Sequence, residues 1–233
     1  LEEVLAGLGF TKDSSPSELT HSQKKEVEKV LEMSEQLTVH GIEIDPWTEM
    51  TLGIAARLSG KIHSSQQHYL RALNEFEKSG DQGGMASCLN NLGNLAESKG
   101  DLYEAERLHL QSLDLKREIG NRQAVASSLT GLGAVAENRG DLSKAEELYR
   151  ESLAIKREFG DRQGEANLLN NLGVIFQHRG DLSEAERFYR DSLTIKKEIG
   201  DLRTKADSLI NLGNIMIEQE DLTEAERLYR ESL

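Results

Sequence analysis

The sequence has few of the residues that cross-link a chain, break its helices or hold it in a membrane. Its 233 residues include one cysteine, Cys88, and two prolines, and only 5% are aromatic. A single cysteine excludes an internal disulfide framework, so nothing indicates an oxidising compartment. The scarcity of proline, aromatic and β-branched residues argues against a β-sheet protein. No apolar run of about 18 residues and no signal-peptide pattern occurs, so we expect a cytoplasmic protein rather than a membrane-inserted or exported one.

Positive charge is also scarce. The 41 Asp and Glu residues outnumber the 28 Lys and Arg residues, which gives a formal net charge of −13. Proteins that bind nucleic acid or anionic membranes usually display stripes of Lys and Arg. We therefore expect neither nucleic acid nor a membrane surface as a partner.

What the sequence does have is a repeat with a period of 40 residues. A Leu-Gly pair occurs at positions 92–93, 132–133, 172–173 and 212–213. A Gly-Asp-Leu triplet follows at 100–102, 140–142 and 180–182, with Glu-Asp-Leu at 220–222. Alanine recurs in the same step at positions 105, 145, 185 and 225. Self-similarity at such a period is the signature of a solenoid, in which one small unit stacks on the next.

Each unit is predicted to form two helices. Between residues 122 and 139 the positions Ala126, Leu129 and Leu132 follow the three-and-four spacing of one helical face. Gly140 is suited to end that helix and Asp141 to cap the next one. In three other units an acid follows this Asp three residues later, which resembles a capping box. Because the connections are short, successive helices are expected to be antiparallel neighbours.

Two small residues in each unit have a packing explanation. Glycine inside a helix costs about 1 kcal/mol relative to alanine, so the recurrence of Gly133 and its copies implies a compensating contact. We predict that Gly133 and Ala145 lie where the first and second helices of a unit cross.

The repeat sets the expected domain boundaries. Residues 46–79 form a degraded unit, followed by units 80–119, 120–159 and 160–199 and an incomplete unit 200–233. Residues 1–45 do not match the repeat and are interpreted as a cap or as the tail of a preceding domain. They are predicted to hold a short helix over residues 1–10, a helix from Ser15-Pro16 to about Thr38, and a linker from His40 to Pro46. The unfinished last unit leads us to expect that the chain is part of a longer protein.

The combined pattern resembles a known family. Asn171-Leu172-Gly173, Gly180-Asp181-Leu182, Ala185, Tyr189 and Ser192 look like a tetratricopeptide repeat, and the resemblance covers residues 47–233. The family's usual unit has about 34 residues. The longer unit here is similar to those of Pins-type spindle-orientation adaptors, kinesin light chain and the sensor arms of prokaryotic signalling ATPases. The resemblance implies an all-α fold, a right-handed α-solenoid of antiparallel helix pairs, whose first helices line a concave groove that receives an extended peptide.

The resemblance also implies which first-helix positions face that groove. We expect partner-peptide binding by Asn90, Asn94, Glu97, Thr130, Glu137, Asn138, Asn170, Val174, Gln177, His178 and Asn214. Carboxamides both donate and accept hydrogen bonds, so they can read the backbone of an extended peptide whatever its side chains. Ile210 and Ile217 add apolar surface beside Val174. Acidic side chains among these positions favour a neutral or basic ligand.

A second interpretation of these positions remains open. The same side chains are also explained as solvated helix positions that bind no ligand. The neighbouring asparagines Asn91, Asn171 and Asn211 are expected to be structural. Capture of a terminal carboxylate is not expected, because the family uses a lysine three residues before the glycine, where this chain has Asn, Thr, Asn and Ile.

No arrangement of residues points to catalysis. His63 and His68 are five positions apart, which is wrong for a metal pair on one helical face, and no Gly-Lys-Ser/Thr phosphate loop occurs. His109 stands where later units have tyrosine, so packing explains it better than ligation. We therefore expect no enzyme activity, no metal and no cofactor.

Two functions remain for such an array. The first is a non-enzymatic scaffold that binds a protein or peptide segment in its groove. The alternative is a sensor or self-association arm of a larger signalling protein such as a regulatory ATPase, in which end repeats stack on another copy.

Overall fold

The computed structural model describes residues 1–11 and 19–232, apart from the side chains of residues 202 and 203. Every regular element within these ranges is an α-helix, so the all-α fold class is confirmed. The chain divides into two units, unit 1 from Leu1 to Gly120 and unit 2 from Asn121 to Leu233.

Unit 1 contains six of the described helices, which pack mostly in consecutive pairs. Helix α3 pairs with α4 and α5 with α6, while α4 also lies against α5. The helices are α1 (Glu2–Gly7), α2 (His21–Val39), α3 (Pro46–Leu58), α4 (Ile62–Ser79), α5 (Gln82–Ser98) and α6 (Leu102–Glu118).

The two N-terminal helices share a core with the first repeat helix. Leu5, Val27, Val30 and Leu52 are among the buried residues of one cluster that joins α1, α2 and α3. The predicted short helix is present over Glu2–Gly7, and α2 runs to Val39 from a capping box at Thr20. The predicted start of that helix at Ser15-Pro16 lies outside the described residues. The buried positions of α2 (27, 30, 31 and 34) have the same spacing as four of those in α4 (65, 68, 69 and 72).

Unit 2 repeats one arrangement three times. Helices α7 and α8, α9 and α10, and α11 and α12 form pairs, and each second helix of the first two pairs also contacts the next first helix. The helices are α7 (Arg122–Asn138), α8 (Leu142–Glu158), α9 (Arg162–His178), α10 (Leu182–Glu198), α11 (Leu202–Glu218) and α12 (Leu222–Ser232).

The loop between the two helices of a repeat follows the predicted stop-and-restart signal, with one correction. Gly140 has a φ of 80°, and Asp141 accepts a hydrogen bond from the Lys144 backbone N–H at 3.0 Å. In the copies with an acid three residues later, the second half of a capping box is not formed among the described residues. The backbone N–H of Asp101 donates instead to Ala96 O at 3.0 Å, and Glu104 binds Arg107. The acid therefore serves a helix-surface ion pair.

The recurring glycine makes room for an aromatic ring. A Cβ added at Gly133 would lie 2.5 Å from Cε1 of Tyr149, and at Gly173 2.5 Å from Cε1 of Tyr189. Ala145 is fully buried, as predicted for a crossing point. The compensating contact is thus between the backbone of the first helix and a ring of the second helix, sixteen residues later.

A buried serine adds a polar tie to the same helix pair. Ser112, Ser152 and Ser192 donate to the carbonyl oxygens of Ala86, Ala126 and Ala166 at 2.7, 2.8 and 2.8 Å. Each bond joins the second helix of a repeat to a carbonyl of its first helix. Ring and serine together fix the second helix against the first.

We expect Gly133→Ala to destabilise the chain, because the added methyl group meets the buried ring of Tyr149. Overpacking of this kind costs about 1–3 kcal/mol and exceeds the gain in helix propensity of about 1 kcal/mol. Urea unfolding followed by circular dichroism measures the change. The matched control is Gly83→Ala in α5, whose Cβ approaches only Asp81 Oδ1 at 3.3 Å and which should stabilise the chain by up to about 1 kcal/mol through helix propensity. Equal effects of the two substitutions would contradict the ring-contact explanation.

Candidate functional site

The predicted binding residues lie on one side of each first helix, and within each unit we call this side the inner face. Spacings of three, four and seven residues place them on a common helical face. They belong to α5 (Asn90, Asn94, Glu97), α7 (Thr130, Glu137, Asn138), α9 (Asn170, Val174, Gln177, His178) and α11 (Asn214).

In unit 1 the inner-face asparagines differ in their surroundings. Asn90 is half-buried, and its Oδ1 accepts a hydrogen bond from Lys116 Nζ at 3.5 Å. Asn94 is exposed and has no side-chain hydrogen bond to any residue that the structure describes. Glu97 is half-buried. Asn94 is therefore the inner-face amide of unit 1 whose donor and acceptor both face solvent.

Side-chain bonds join the inner faces of α9 and α11. Asn170 Oδ1 accepts from Asn211 Nδ2 at 3.1 Å and from Ser208 Oγ at 3.5 Å. Gln177 Nε2 donates to Glu218 Oε1 at 2.6 Å. Asn211 thus makes a bond within the protein, in line with the structural role expected for it. These ties hold the two helices side by side.

Tyrosine hydroxyls from the second helices reach the same face. Tyr149 donates to Glu137 at 2.7 Å, Tyr189 to Gln177 Oε1 at 3.0 Å, and Tyr229 to Asn214 Oδ1 at 2.6 Å. Burial raises the pKa of Tyr189, and the nearby carboxylates of Glu137 and Glu218 raise it further, so the hydroxyl keeps its proton. The signal for this role was in the sequence as a tyrosine sixteen residues after Gly133, Gly173 and Gly213, but sequence reasoning assigned this ring position to packing alone.

These hydrogen bonds determine which side-chain atoms Asn170 and Asn214 leave available to a ligand. The carboxamide oxygens of Asn170 and Asn214 are taken by donors from within the protein. Their Nδ2 groups make no hydrogen bond to the described residues. Each of these asparagines therefore offers N–H donors to a ligand.

Thr130 has a different role from its neighbours on the inner face. Its hydroxyl donates to Ala126 O at 2.9 Å and lies 2.9 Å from Ser152 Oγ. The side chain thus extends the serine tie between α7 and α8.

Apolar and exposed polar groups complete the inner face of unit 2. Ile210 and Ile217 are 41% and 47% exposed on either side of Asn214, and Val174 is half-buried at the edge of the core of α9 to α12. Asn138 and His178 are exposed near the ends of their helices. With Glu137 and Glu218 nearby, this surface combines amide donors, carboxylates and small apolar patches.

The structure brings together one polar pair that the sequence did not suggest. His68 Nδ1 lies 2.5 Å from Glu49 Oε2, both side chains are buried, and Arg71 lies 3.9 Å from the same carboxylate. The carboxylate comes from α3, nineteen residues before the histidine, so sequence spacing on one helix gave no sign of it. The pair links α3 to α4.

Other chemistry-bearing groups are isolated. Within residues 1–11 and 19–232 no group of three or more His, Cys, Asp and Glu side chains is placed to hold a metal ion. Cys88 is buried, which raises the pKa of its thiol to about 12. No described helix has the length and apolar character needed to cross a bilayer.

Comparison with known proteins agrees with this architecture. The tetratricopeptide repeat family model matches residues 46–118, 85–158, 124–198 and 164–233. The chain belongs to the tetratricopeptide repeat family. No curated protein matches the sequence.

Solved structures with the same fold come from several contexts. A Rap protein in complex with Competence and Sporulation Factor has a TM-score of 0.74 at 14% identity, covering 95% of this chain and 66% of that one. A signal transduction ATPase with a tetratricopeptide repeat sensor, from Pyrococcus horikoshii, has a TM-score of 0.72 at 17% identity, covering 89% of this chain and 31% of that one. A putative kinesin light chain repeat protein from Podosopora anserina has a TM-score of 0.61 at 14% identity, covering 79% and 92%. At these identities the likeness shows the fold, an α-solenoid of paired helices.

The buried imidazole of His109 makes the free energy of unfolding depend on pH. It takes the ring position beside Gly93, where neither nitrogen has a hydrogen-bond partner among the described residues. Burial lowers the pKa of His109 to about 4, and the charge of Lys116 adds to the effect. The folded chain therefore resists a proton that the unfolded chain binds below pH 6.5.

We expect the contribution of His109 to stability to fall as the pH drops from 6.5 towards 4, and to level off below that value. The His109 contribution between pH 7.5 and pH 5 amounts to about 2 kcal/mol. Urea unfolding at both pH values, compared with His109→Tyr, isolates it from the other histidines. An unchanged pH dependence in His109→Tyr would contradict the assignment.

Proposed function

We propose that this chain is a non-enzymatic scaffold that binds an extended segment of another protein along its inner face. The observation that carries the proposal is the orientation of Asn170 and Asn214. Their oxygens accept bonds from within the protein, so their amide nitrogens are directed to a ligand. Backbone carbonyls of an extended segment are the matching acceptors.

The apolar and acidic groups define the rest of the ligand. Ile210 and Ile217 suit small apolar side chains, and Glu137 and Glu218 favour a neutral or basic segment. The Rap protein of the same fold was solved with Competence and Sporulation Factor bound, which supports a binding role for such an array. In unit 1, Asn94 supplies the corresponding fully solvated amide.

A display library of random linear peptides tests the inner face. We expect the selected peptides to be neutral or basic. We also expect them to bind the Asn94→Ala and Asn214→Ala variants more weakly than the unsubstituted chain. Loss of one hydrogen bond corresponds to about a two- to tenfold weaker affinity. Isothermal titration of the same peptide against each variant measures the change.

The matched control is Asn74→Ala. Asn74 is an exposed asparagine on the second helix α4, and its removal should leave the affinity unchanged. Selected peptides whose affinity is the same for all variants would remove the inner face from the proposal.

The alternative function is a sensor or self-association arm of a larger signalling protein. The fold shared with the repeat sensor of the signal transduction ATPase, of which this chain spans 31%, favours it. Sedimentation velocity over a range of concentrations tests self-association, since stacking of end repeats predicts a sedimentation coefficient that rises with concentration. A constant monomer value would remove the self-association form of this alternative.

A further inference from the structure

The outer surfaces of the second helices differ between the two units at one repeat position. In unit 2 this position holds Arg150, Arg190 and Arg230, each paired with a glutamate four residues earlier at 2.8, 2.6 and 2.5 Å. In unit 1 it holds Leu70 and Leu110, which are 49% and 44% exposed. Ion pairs on the surface of unit 2 are thus replaced in unit 1 by leucines that face water. Exposed apolar side chains that recur at one position are a mark of an interaction surface.

Leu70 borders a cleft within unit 1. The cleft lies between the parallel second helices α4 and α6, with the first helix α5 as its floor, and has a volume of about 620 Å³. Its apolar lining includes Leu73 from α4, Met85 and Leu89 from α5, and Leu115 from α6. It opens on the side opposite the inner face, because the second helices form its walls.

The equivalent place in unit 2 is filled by the protein's own side chains. Phe176 and Phe188 stack with ring centroids 5.3 Å apart, and the Arg150 guanidinium lies 5.9 and 5.7 Å from those centroids. Eighty residues earlier, in unit 1, the ring positions are occupied by Ala96 and Leu108. The two rings and the guanidinium that fill the place between α8 and α10 are therefore missing from the corresponding place in unit 1, where the cleft lies.

One end of the cleft carries unpaired negative charge. Glu77 and Asp114 line it, and neither side chain has an ion pair or hydrogen bond in the part of the chain that the structure describes. In unit 2 the position of Glu77 holds Arg157, which pairs with Glu165 at 2.8 Å. The residue that corresponds to Glu165 is Met85. The replacement removes an internal ion pair and leaves a carboxylate beside apolar surface.

At the other end of the cleft, the cationic side chains already have partners within the protein. Lys99 Nζ donates to Gln66 at 2.6 Å, and Arg107 binds Glu104 at 2.6 Å. A cation from outside would therefore be attracted to the end with Glu77 and Asp114.

We propose that the cleft between α4 and α6 is a second docking site, separate from the inner face. Its occupant is a segment of a partner protein that inserts a large apolar or aromatic side chain between Leu70 and Met85. A neighbouring Lys or Arg of that segment pairs with Glu77 or Asp114. The segment thereby supplies what Phe176, Phe188 and Arg150 supply within unit 2.

A defined probe tests the site without knowledge of the partner. The capped tripeptide Phe-Arg-Phe is titrated into protein carrying ¹³C-labelled methionine and alanine methyl groups. We expect saturable shifts of the Met85 and Ala96 methyl signals. The tripeptide Phe-Glu-Phe should bind more weakly by a factor of about five or more, because its charge is reversed beside the acidic end.

Substitutions taken from unit 2 close the cleft. The combined variant Leu70→Arg, Ala96→Phe, Leu108→Phe should abolish the saturable shift at Met85 while keeping its affinity for peptides selected on the inner face. The single change Glu77→Arg provides a second test that leaves the core intact, with binding of Phe-Arg-Phe weakened about fivefold. Glu35→Arg, an exposed change on α2, is the charge-matched control and should have no effect.

Three results would overturn the proposal. Equal binding of both tripeptides would remove the role of Glu77 and Asp114. Unchanged shifts in the filled variant would place the probe elsewhere. Shifts of Met85 and Ala96 with protein concentration alone would identify a second copy of the chain as the occupant. Failure of inner-face binding leaves these readouts unaffected, so the two proposals are tested separately.

Discussion

The contact on which the repeats depend is that of a helix backbone with an aromatic ring. Gly133, Gly173 and Gly213 leave no space for a side chain, since a ring of the second helix lies against each of them. The ring ends in a hydroxyl, and this hydroxyl crosses the first helix to a polar side chain on the inner face. Packing and presentation are therefore coupled, because the residue that sets the distance between the helices also orients the groups available to a ligand.

His109 shows what this coupling requires. The imidazole fills the ring position beside Gly93 but has no hydroxyl to extend, and its nitrogens are buried without partners among the described residues. Burial of unpaired polar atoms is unfavourable, so the exchange sacrifices stability in unit 1. The inner face of α5 is consequently not held by a tyrosine, whereas those of α7, α9 and α11 are. The two units share a backbone pattern but differ in how firmly their polar side chains are oriented.

The sequence was sufficient for the features that depend on a period. Spacing of apolar residues, helix-ending glycines and capping aspartates repeats every 40 positions, and each is a local signal with a local cause. The direction of an amide is not local. Asn170 and Asn211 are the same residue type, yet one accepts the bond that the other donates across 41 positions. Thr130 looked equivalent to Asn170 in spacing, but its hydroxyl was already bound to Ala126 O and near Ser152. Such assignments depend on partners that only the folded chain brings within reach.

Repetition also makes differences between units informative. One backbone arrangement holds Phe176, Phe188 and Arg150 in unit 2, and Ala96, Leu108 and Leu70 in unit 1. Both sets keep the helices packed. They differ at the outer surface, which the first set covers with rings and the second leaves open. Stability alone would favour the closed set, since it buries more apolar area and pairs its charges. The open set, with Leu70 and the carboxylates of Glu77 and Asp114 exposed to water, is therefore in keeping with the docking proposed for the cleft.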